Sequence, residues 1–161
     1  MVVSWQVSHF QQLSAQQWYQ IAALRMAVFV VEQNCPYQDL DGLDCHPDTV
    51  HLCLWLNEPV VAPVGGSSNT RLIAYLRILA PNTAYPQASI GRVIVAADAR
   101  GQGLGHQLMQ QAIELAKQYF SPPFYLSAQT HLVAYYRQHG FTPQGDVYLE
   151  DDIPHQGMLW V

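Results

Sequence analysis

Charge is scarce in this chain. Lysine and arginine number seven and aspartate and glutamate twelve, so charged side chains are 12% of 161 residues. A typical soluble domain carries about a quarter. Glutamine fills much of the polar surface instead. The net charge is −5 and no basic stripe is present, which excludes a nucleic-acid partner, because nothing could neutralise a phosphate backbone. Cysteine is sparse too. Cys35, Cys45 and Cys53 are an odd set, so no disulfide framework is expected and a reducing compartment is. Long hydrophobic runs are missing. The longest, Ala27 to Val31, is far too short to cross a bilayer, and the start MVVSWQVSHF lacks the basic head and apolar core of a secretory signal. A cytoplasmic protein with no membrane partner is the expectation. Internal repeats and low-complexity segments are absent as well.

What is present is a well-patterned core. Half of the residues are apolar, and the length suits one domain, residues 1–161. Trp5 to His9 alternates as a strand does. Ser14 and Gln17 form a capping box, which predicts a helix to about Glu32 with Trp18, Ile21, Ala22, Leu24, Ala27, Val28 and Val31 on its buried side. Asn34 to Asp48 reads as loop. Strands are predicted at His51–Leu56, Arg71–Leu79 and Ser89–Ala96. The stretch with Pro59, Pro63, Gly65, Gly66, Ser67 and Ser68 reads as a flexible hairpin connection. A helix over Gly103–Tyr119 should bury Leu104, Leu108, Ala112, Leu115, Ala116 and Tyr119. A strand at Phe124–Ala128, a helix at Leu132–His139 closed by Gly140, and a hairpin of Gly145–Glu150 with His155–Val161 complete the chain. The class is mixed α/β, and three successive strands in its middle exclude a Rossmann pair.

One segment carries chemistry on its face. The strand ending near Ala96 runs into Arg100-Gly101-Gln102-Gly103-Leu104-Gly105-His106, where a helix begins. Unpaired amides and the helix dipole favour an anion there. Glycines let a diphosphate approach the backbone, and Arg100 adds positive charge. The spacing is neither a P-loop nor a dinucleotide fingerprint. A Gly-rich turn with no ligand is the alternative reading of the loop alone.

Arg100-x-x-Gly103-x-Gly105 after a buried strand, with Tyr136 four residues before Gly140-Phe141, resembles the GCN5-related N-acetyltransferase (GNAT) superfamily. The strand order extends the likeness to nearly the whole chain. Leu24-Arg25-x-x-Val28-Phe29-Val30-Val31-Glu32-Gln33-x-Cys35-Pro36-Tyr37, Asp39-x-Asp41-Gly42-x-Asp44, Gly91-Arg92-Val93 and Tyr148-Leu149-Glu150-Asp151-x-Ile153-Pro154-His155 resemble its ElaA-like branch. The resemblance implies the GNAT acyl-CoA N-acyltransferase fold, a central mixed and mostly antiparallel sheet flanked by helices. It implies acetyl-CoA as cosubstrate. Val93, Ile94 and Val95 would meet the pantetheine arm, the amides from Gly101 to His106 the pyrophosphate, and Tyr136 the coenzyme sulfur. Gln129 stands where many members contact pantetheine with Asn. The catalytic Glu of some members is missing, because Ser89, Ile90, Gly91 and Arg92 occupy that stretch.

Acetyl transfer needs a neutral amine, an oxyanion donor and a proton for the leaving thiolate. A backbone N–H near Val95 is the expected donor and Tyr136 the expected acid. The base is Glu32, or a carboxylate of the Glu150-Asp151-Asp152 turn with Asp151 foremost, or a water chain. His155 could relay a proton or be structural. Asp39, Asp41 and Asp44 could form an acidic rim for an ammonium group or a solvated loop, since their spacing fails as a calcium loop. Arg25 and Arg92, sparse charges in apolar surroundings, are expected to be paired with carboxylates; by hypothesis one of them pairs with Glu32 or an Asp of that loop and organises the acceptor pocket, a purely structural ion pair being the alternative. Cys35, Cys45, His46, His51 and Cys53 lack zinc spacing, so no metal is expected. The predicted activity moves an acetyl group to a primary amine of a small molecule in a ternary complex. A protein lysine or N-terminal acetyltransferase and a non-catalytic acetyl-CoA sensor are the rivals. Met158-Leu159-Trp160-Val161 is core or an interface, the latter giving a homodimer.

Overall fold

The computed structural model describes residues 2–58 and 70–161. The hairpin connection expected around Pro59 to Ser68 lies outside the described residues. Among these, seven strands form one sheet: β1 (Val2–Ser8), β2 (Val50–Asn57), β3 (Thr70–Leu79), β4 (Ala88–Val95), β5 (Phe124–Gln129), β6 (Phe141–Glu150) and β7 (Ile153–Trp160). Their order is β1-β2-β3-β4-β5-β7-β6, and only β4 and β5 run parallel. Helices α1 (Ala15–Arg25), α2 (Leu104–Tyr119) and α3 (Val133–Arg137) flank it. The expected mixed, mostly antiparallel sheet is therefore the one observed.

Ser14 starts α1 as a reciprocal cap: its hydroxyl accepts from the Gln17 amide, and the Gln17 side chain accepts from the Ser14 amide. The helix does not continue to Glu32 in α geometry. Met26–Glu32 winds as a π-helix, in which the Gln33 amide bonds the Val28 carbonyl five residues back. The wider turn rotates side chains off the expected stripe. Ile21 is fully buried, whereas Ala27 and Val31 face solvent and Val28 and Phe29 turn towards a cavity. Helix α2 buries Leu104, Leu108, Met109, Ala112, Ile113, Leu115 and Ala116, while Tyr119, at its last position, is exposed.

Strand β6 begins four residues earlier than the sequence suggests. Phe141 to Gln144 pair with Trp160 to Gly157. Pro143 is tolerated there because β6 is an edge strand. The ladder then breaks between Gln144 and Tyr148, where Gly145 takes a φ of 69°. Asp151 and Asp152, both left-handed, close the β6–β7 turn.

Two local features open the sheet. The β4–β5 ladder has only the pairs Ala88–Phe124 and Ser89–Tyr125. Beyond it, β4 carries a bulge: Arg77 faces Gly91 and Tyr75 faces Ile94, so Arg92 and Val93 oppose Leu76 alone. Arg92 adopts a φ of 55° to make this turn. A bulge bends its strand, and β4 and β5 part from this point.

Candidate active site between the parted strands

A cavity of about 810 Å³ fills the gap. Ile90 to Val95 of β4 form one wall and Leu126, Ser127 and Gln129 of β5 the other, with Val28, Phe29 and Glu32 of the π-helix above. Val93, Ile94, Val95, Arg100, Gln129, Tyr136, Glu32 and Asp151 thus share one cavity. Gly101 to His106 lie outside its lining and continue from it into the start of α2.

The two longer helices start differently. Ser14 satisfies the first turn of α1. Helix α2 starts at Gly103, which has a φ of 78° and no side chain to cap with, and its first turn holds no acidic residue. Its first amides are open to an anion, which is what a phosphate site requires. Gly101 and Gly103 are both left-handed, and a Cβ at either would meet nothing within 4 Å. Gly105 serves packing instead: a Cβ there would stand 2.9 Å from the Tyr135 hydroxyl of α3. His106 Nδ1 lies 2.9 Å from His139 Nε2, tying α2 to the end of α3.

Arg100 does not reach over the loop glycines. Its Nε donates to the Val95 carbonyl at 3.0 Å, and its terminal nitrogens hold both oxygens of Glu32 at 2.5 and 2.8 Å. The hydrogen bond from Arg100 holds the Glu32 carboxyl below its ordinary value, so the group is a weakened base. Gln33 accepts a hydrogen bond from Gln129 at 3.0 Å. The end of the π-helix is therefore strapped to both arms of the gap.

Tyr136 is almost fully buried, and burial pushes its phenol above the ordinary range. Among the described residues nothing hydrogen-bonds its hydroxyl. It lies on the wall of the cavity that Leu132 and Gln129 also line.

Asp39, Asp41 and Asp44 do not form an acidic rim. They interlock with three arginines. Arg25, fully buried, donates to Asp39 at 2.8 Å and Asp44 at 2.5 Å. Arg77 holds Asp41 at 2.6 Å and Asp44 at 3.0 Å. Arg92 holds Asp39 at 2.7 Å, and its guanidinium lies over the Tyr37 ring. The charges cancel three against three, and the network fixes the loop to α1, β3 and the β4 bulge. Arg25 and Arg92 thus pair with the 39–44 loop and not with Glu32. His51 joins beneath: its Nε2 donates to the Asp44 carbonyl at 3.0 Å, and its Nδ1 accepts from the Tyr75 hydroxyl at 2.7 Å. Burial lowers the His51 pKa. Arg77 escaped the sequence reading, although an arginine inside the apolar run from Leu72 to Leu79 was the signal for it.

The far end of the cavity is polar. Tyr85, Ser127, Glu150 and His155 line it. Ser127 hydrogen-bonds both the Tyr148 hydroxyl and the Glu150 carboxylate. Asp151 places its carbonyl near the Cys35 thiol. Cys35, Cys45 and Cys53 are free thiols. Among the described residues no three His, Cys, Asp or Glu side chains are grouped to hold a metal ion, and no helix is long and apolar enough to cross a membrane.

Comparison with known proteins identifies the family and the fold. Residues 66–161 match the family described as acetyltransferase (GNAT) domain. Protein ElaA of Escherichia coli K12 is 43% identical over 158 residues, covering 98% of this chain and 95% of that protein. The crystal structure of Escherichia coli ElaA superposes with a TM-score of 0.85 at 42% identity, over 99% of this chain and all of that one. An acyl-CoA N-acyltransferase from Pseudomonas aeruginosa does so with a TM-score of 0.86 at 46% identity, over the same shares.

Proposed function

Because the chain belongs to the GNAT acetyltransferase family, in its ElaA branch, we propose that it moves an acetyl group from acetyl-CoA to a primary amine of a small molecule, by direct attack in a ternary complex. Family membership makes it an acyltransferase with an acyl-CoA cosubstrate. The acetyl group, the small amine and the direct route are the proposal.

One observation carries it: the parted edges of β4 and β5, the Tyr136 phenol and a polar far end line a single cavity. In this reading the pantetheine arm lies along Val93, Ile94 and Val95 and against Gln129, and fills the place of the missing rungs. The pyrophosphate rests on the amides from Gly101 to His106 at the uncapped start of α2. The amine enters from the end lined by Glu150 and Asp151, whose carboxylates attract an ammonium ion. A backbone N–H near Val95 meets the oxyanion, and Tyr136 returns a proton to the thiolate. Glu32 acts as a brace, since Arg100 occupies both of its oxygens. The enzyme works in the reducing cytoplasm, where its cysteines stay thiols.

Coenzyme A thiol release tests this, with acetyl-CoA against alkylamines, diamines, amino sugars and lysine peptides. Release with at least one small amine is expected. Tight acetyl-CoA binding with no release would make the protein a sensor. Release with lysine peptides alone would overturn the small-molecule acceptor.

A further inference from the structure

We propose that His155 is the catalytic base of this site, taking a proton from the acceptor ammonium at Nε2, and that Glu150 holds that ammonium beside it. The proposal rests on the transferase reading above.

The tautomer argues first. His155 Nδ1 lies 2.7 Å from the Ile153 carbonyl oxygen, which can only accept. Nδ1 therefore carries the hydrogen, and the neutral ring has its lone pair on Nε2. Nε2 lies 3.7 Å from Glu150 Oε2, beyond a hydrogen bond yet close enough that a proton gained at Nε2 faces a carboxylate. The ring is fixed, stacked on Tyr148 with centroids 6.1 Å apart. Both His155 and Glu150 line the cavity.

Among the cavity-lining carboxylates, Glu32 is held by Arg100 and Asp41 by Arg77 and Arg92, while Asp151 is exposed at the left-handed β6–β7 turn and has no side-chain partner to fix it among the described residues. Glu150 has no arginine. Its neighbours are the Ser127 hydroxyl at 3.1 Å and His155. Tyr148 bonds Ser127 in turn and lies 3.4 Å from the Tyr125 hydroxyl, and the Tyr125 ring packs on Tyr85 at 4.2 Å. A carboxylate beside aromatic faces suits an alkylammonium.

The proton balance is complete. The ammonium nitrogen gives one proton to His155 Nε2, and the imidazolium rests against Glu150. The freed lone pair forms the C–N bond at the thioester carbonyl. The C–S bond breaks as Tyr136 gives its proton to the leaving thiolate, and the second proton lost by the nitrogen restores the phenol. His155 then releases its proton along the half-exposed Glu150 to solvent. The products are the amide, the thiol and one proton.

The test uses n-butylamine, charged at pH 7, and methoxyamine, neutral there. His155→Asn keeps a donor for the Ile153 carbonyl but has no base. With n-butylamine its kcat should fall by about 100-fold or more, whereas methoxyamine turnover and acetyl-CoA affinity should change by less than about 3-fold. Glu150→Gln should raise the KM of n-butylamine about 10-fold and leave that of methoxyamine unchanged. Equal losses with both amines would reduce His155 to a structural role. Nitrogen-15 spectra of the unliganded protein give an answer with no amine at all: a hydrogen on Nε2 of neutral His155 overturns the proposal. Absence of thiol release by the unaltered protein would instead overturn the transferase reading.

Discussion

Arg100 clasps Glu32 with two nitrogens and thereby joins the end of β4 to the last turn of the π-helix, across 68 positions of sequence. Each charge silences the other. The arginine expected over a pyrophosphate is committed to a carboxylate, and the carboxylate expected as a base is committed to an arginine. In the proposed reaction, phosphate binding would then rest on backbone amides, and proton removal on groups deeper in the cavity.

Glu32→Gln should separate brace from base. The expected result is a kcat within about 3-fold of the unaltered protein, because an exposed pair contributes little. Stopped-flow thiol release measures it. A loss of 100-fold would restore Glu32 as the base.

Tyr136→Phe should lower kcat by about 100-fold, the usual contribution of one positioned acid. Acetyl-CoA affinity and thermal midpoint should barely move, since no protein hydrogen bond is lost among the described residues. Calorimetric titration and a melting curve check both. Unchanged kcat would return Tyr136 to packing alone.

Gly103 offers a paired comparison. Its φ of 78° strains most side chains, but Asn and Asp tolerate that region. Gly103→Asn and Gly103→Asp should therefore fold alike. If the α2 start holds the pyrophosphate, Asp should bind acetyl-CoA at least about 10-fold more weakly than Asn, because it brings a negative charge to the anion site. Equal affinities would remove the phosphate from this loop.

Arg77→Met should destabilise the fold by about 3–5 kcal/mol at neutral pH, the cost of leaving buried partners unpaired. The pH dependence has a definite sign. Burial alone would raise the Asp41 carboxyl, but the hydrogen bond and charge of Arg77 outweigh it and hold the group well below its ordinary value. A depressed folded pKa gives stability that is present above the ordinary carboxylate range and lost as pH falls through the folded value. Denaturant midpoints should drop with acid in the unaltered protein, and less steeply in Arg77→Met.

Arg92→Met tests the neighbouring arm of the network. Stability should fall by about 2 kcal/mol from the lost ion pair with Asp39 and the lost hydrogen bond to the Asp39 carbonyl. The KM of the amine should rise while acetyl-CoA affinity holds, because Arg92 lines the cavity and anchors the loop beside it. Lower stability with an unchanged KM confines Arg92 to the scaffold.

Much of this was legible in residue order. Alternation in β1, apolar runs between turn residues and a period-3.6 stripe located most strands and α2, and Ser14 with Gln17 marked the start of α1 to the residue. The glycine run before Leu104 marked an uncapped helix start. What escaped has physical causes. A π-helix keeps the composition of an α-helix, so Ala27 and Val31 looked buried. Strand β6 starts at Phe141 because edge position rescues Pro143, and edge position is not a local property. The Arg100–Glu32 clasp and the three-by-three arginine–aspartate network join residues far apart in sequence, which spacing cannot report. The tautomer of His155 depends on a carbonyl two residues away whose direction only the folded turn sets.

Only two rungs join β4 to β5. Strands β1 to β4 and strands β5 to β7 form two plates that meet along a seam two residue pairs long. A molecule lying in that seam and hydrogen-bonding both edges completes the sheet, as an added strand would. Occupancy and rigidity then become one variable: the plates should exchange amide hydrogens at the seam freely when empty and slowly when filled. The acyl donor would be, in mechanical terms, the eighth strand.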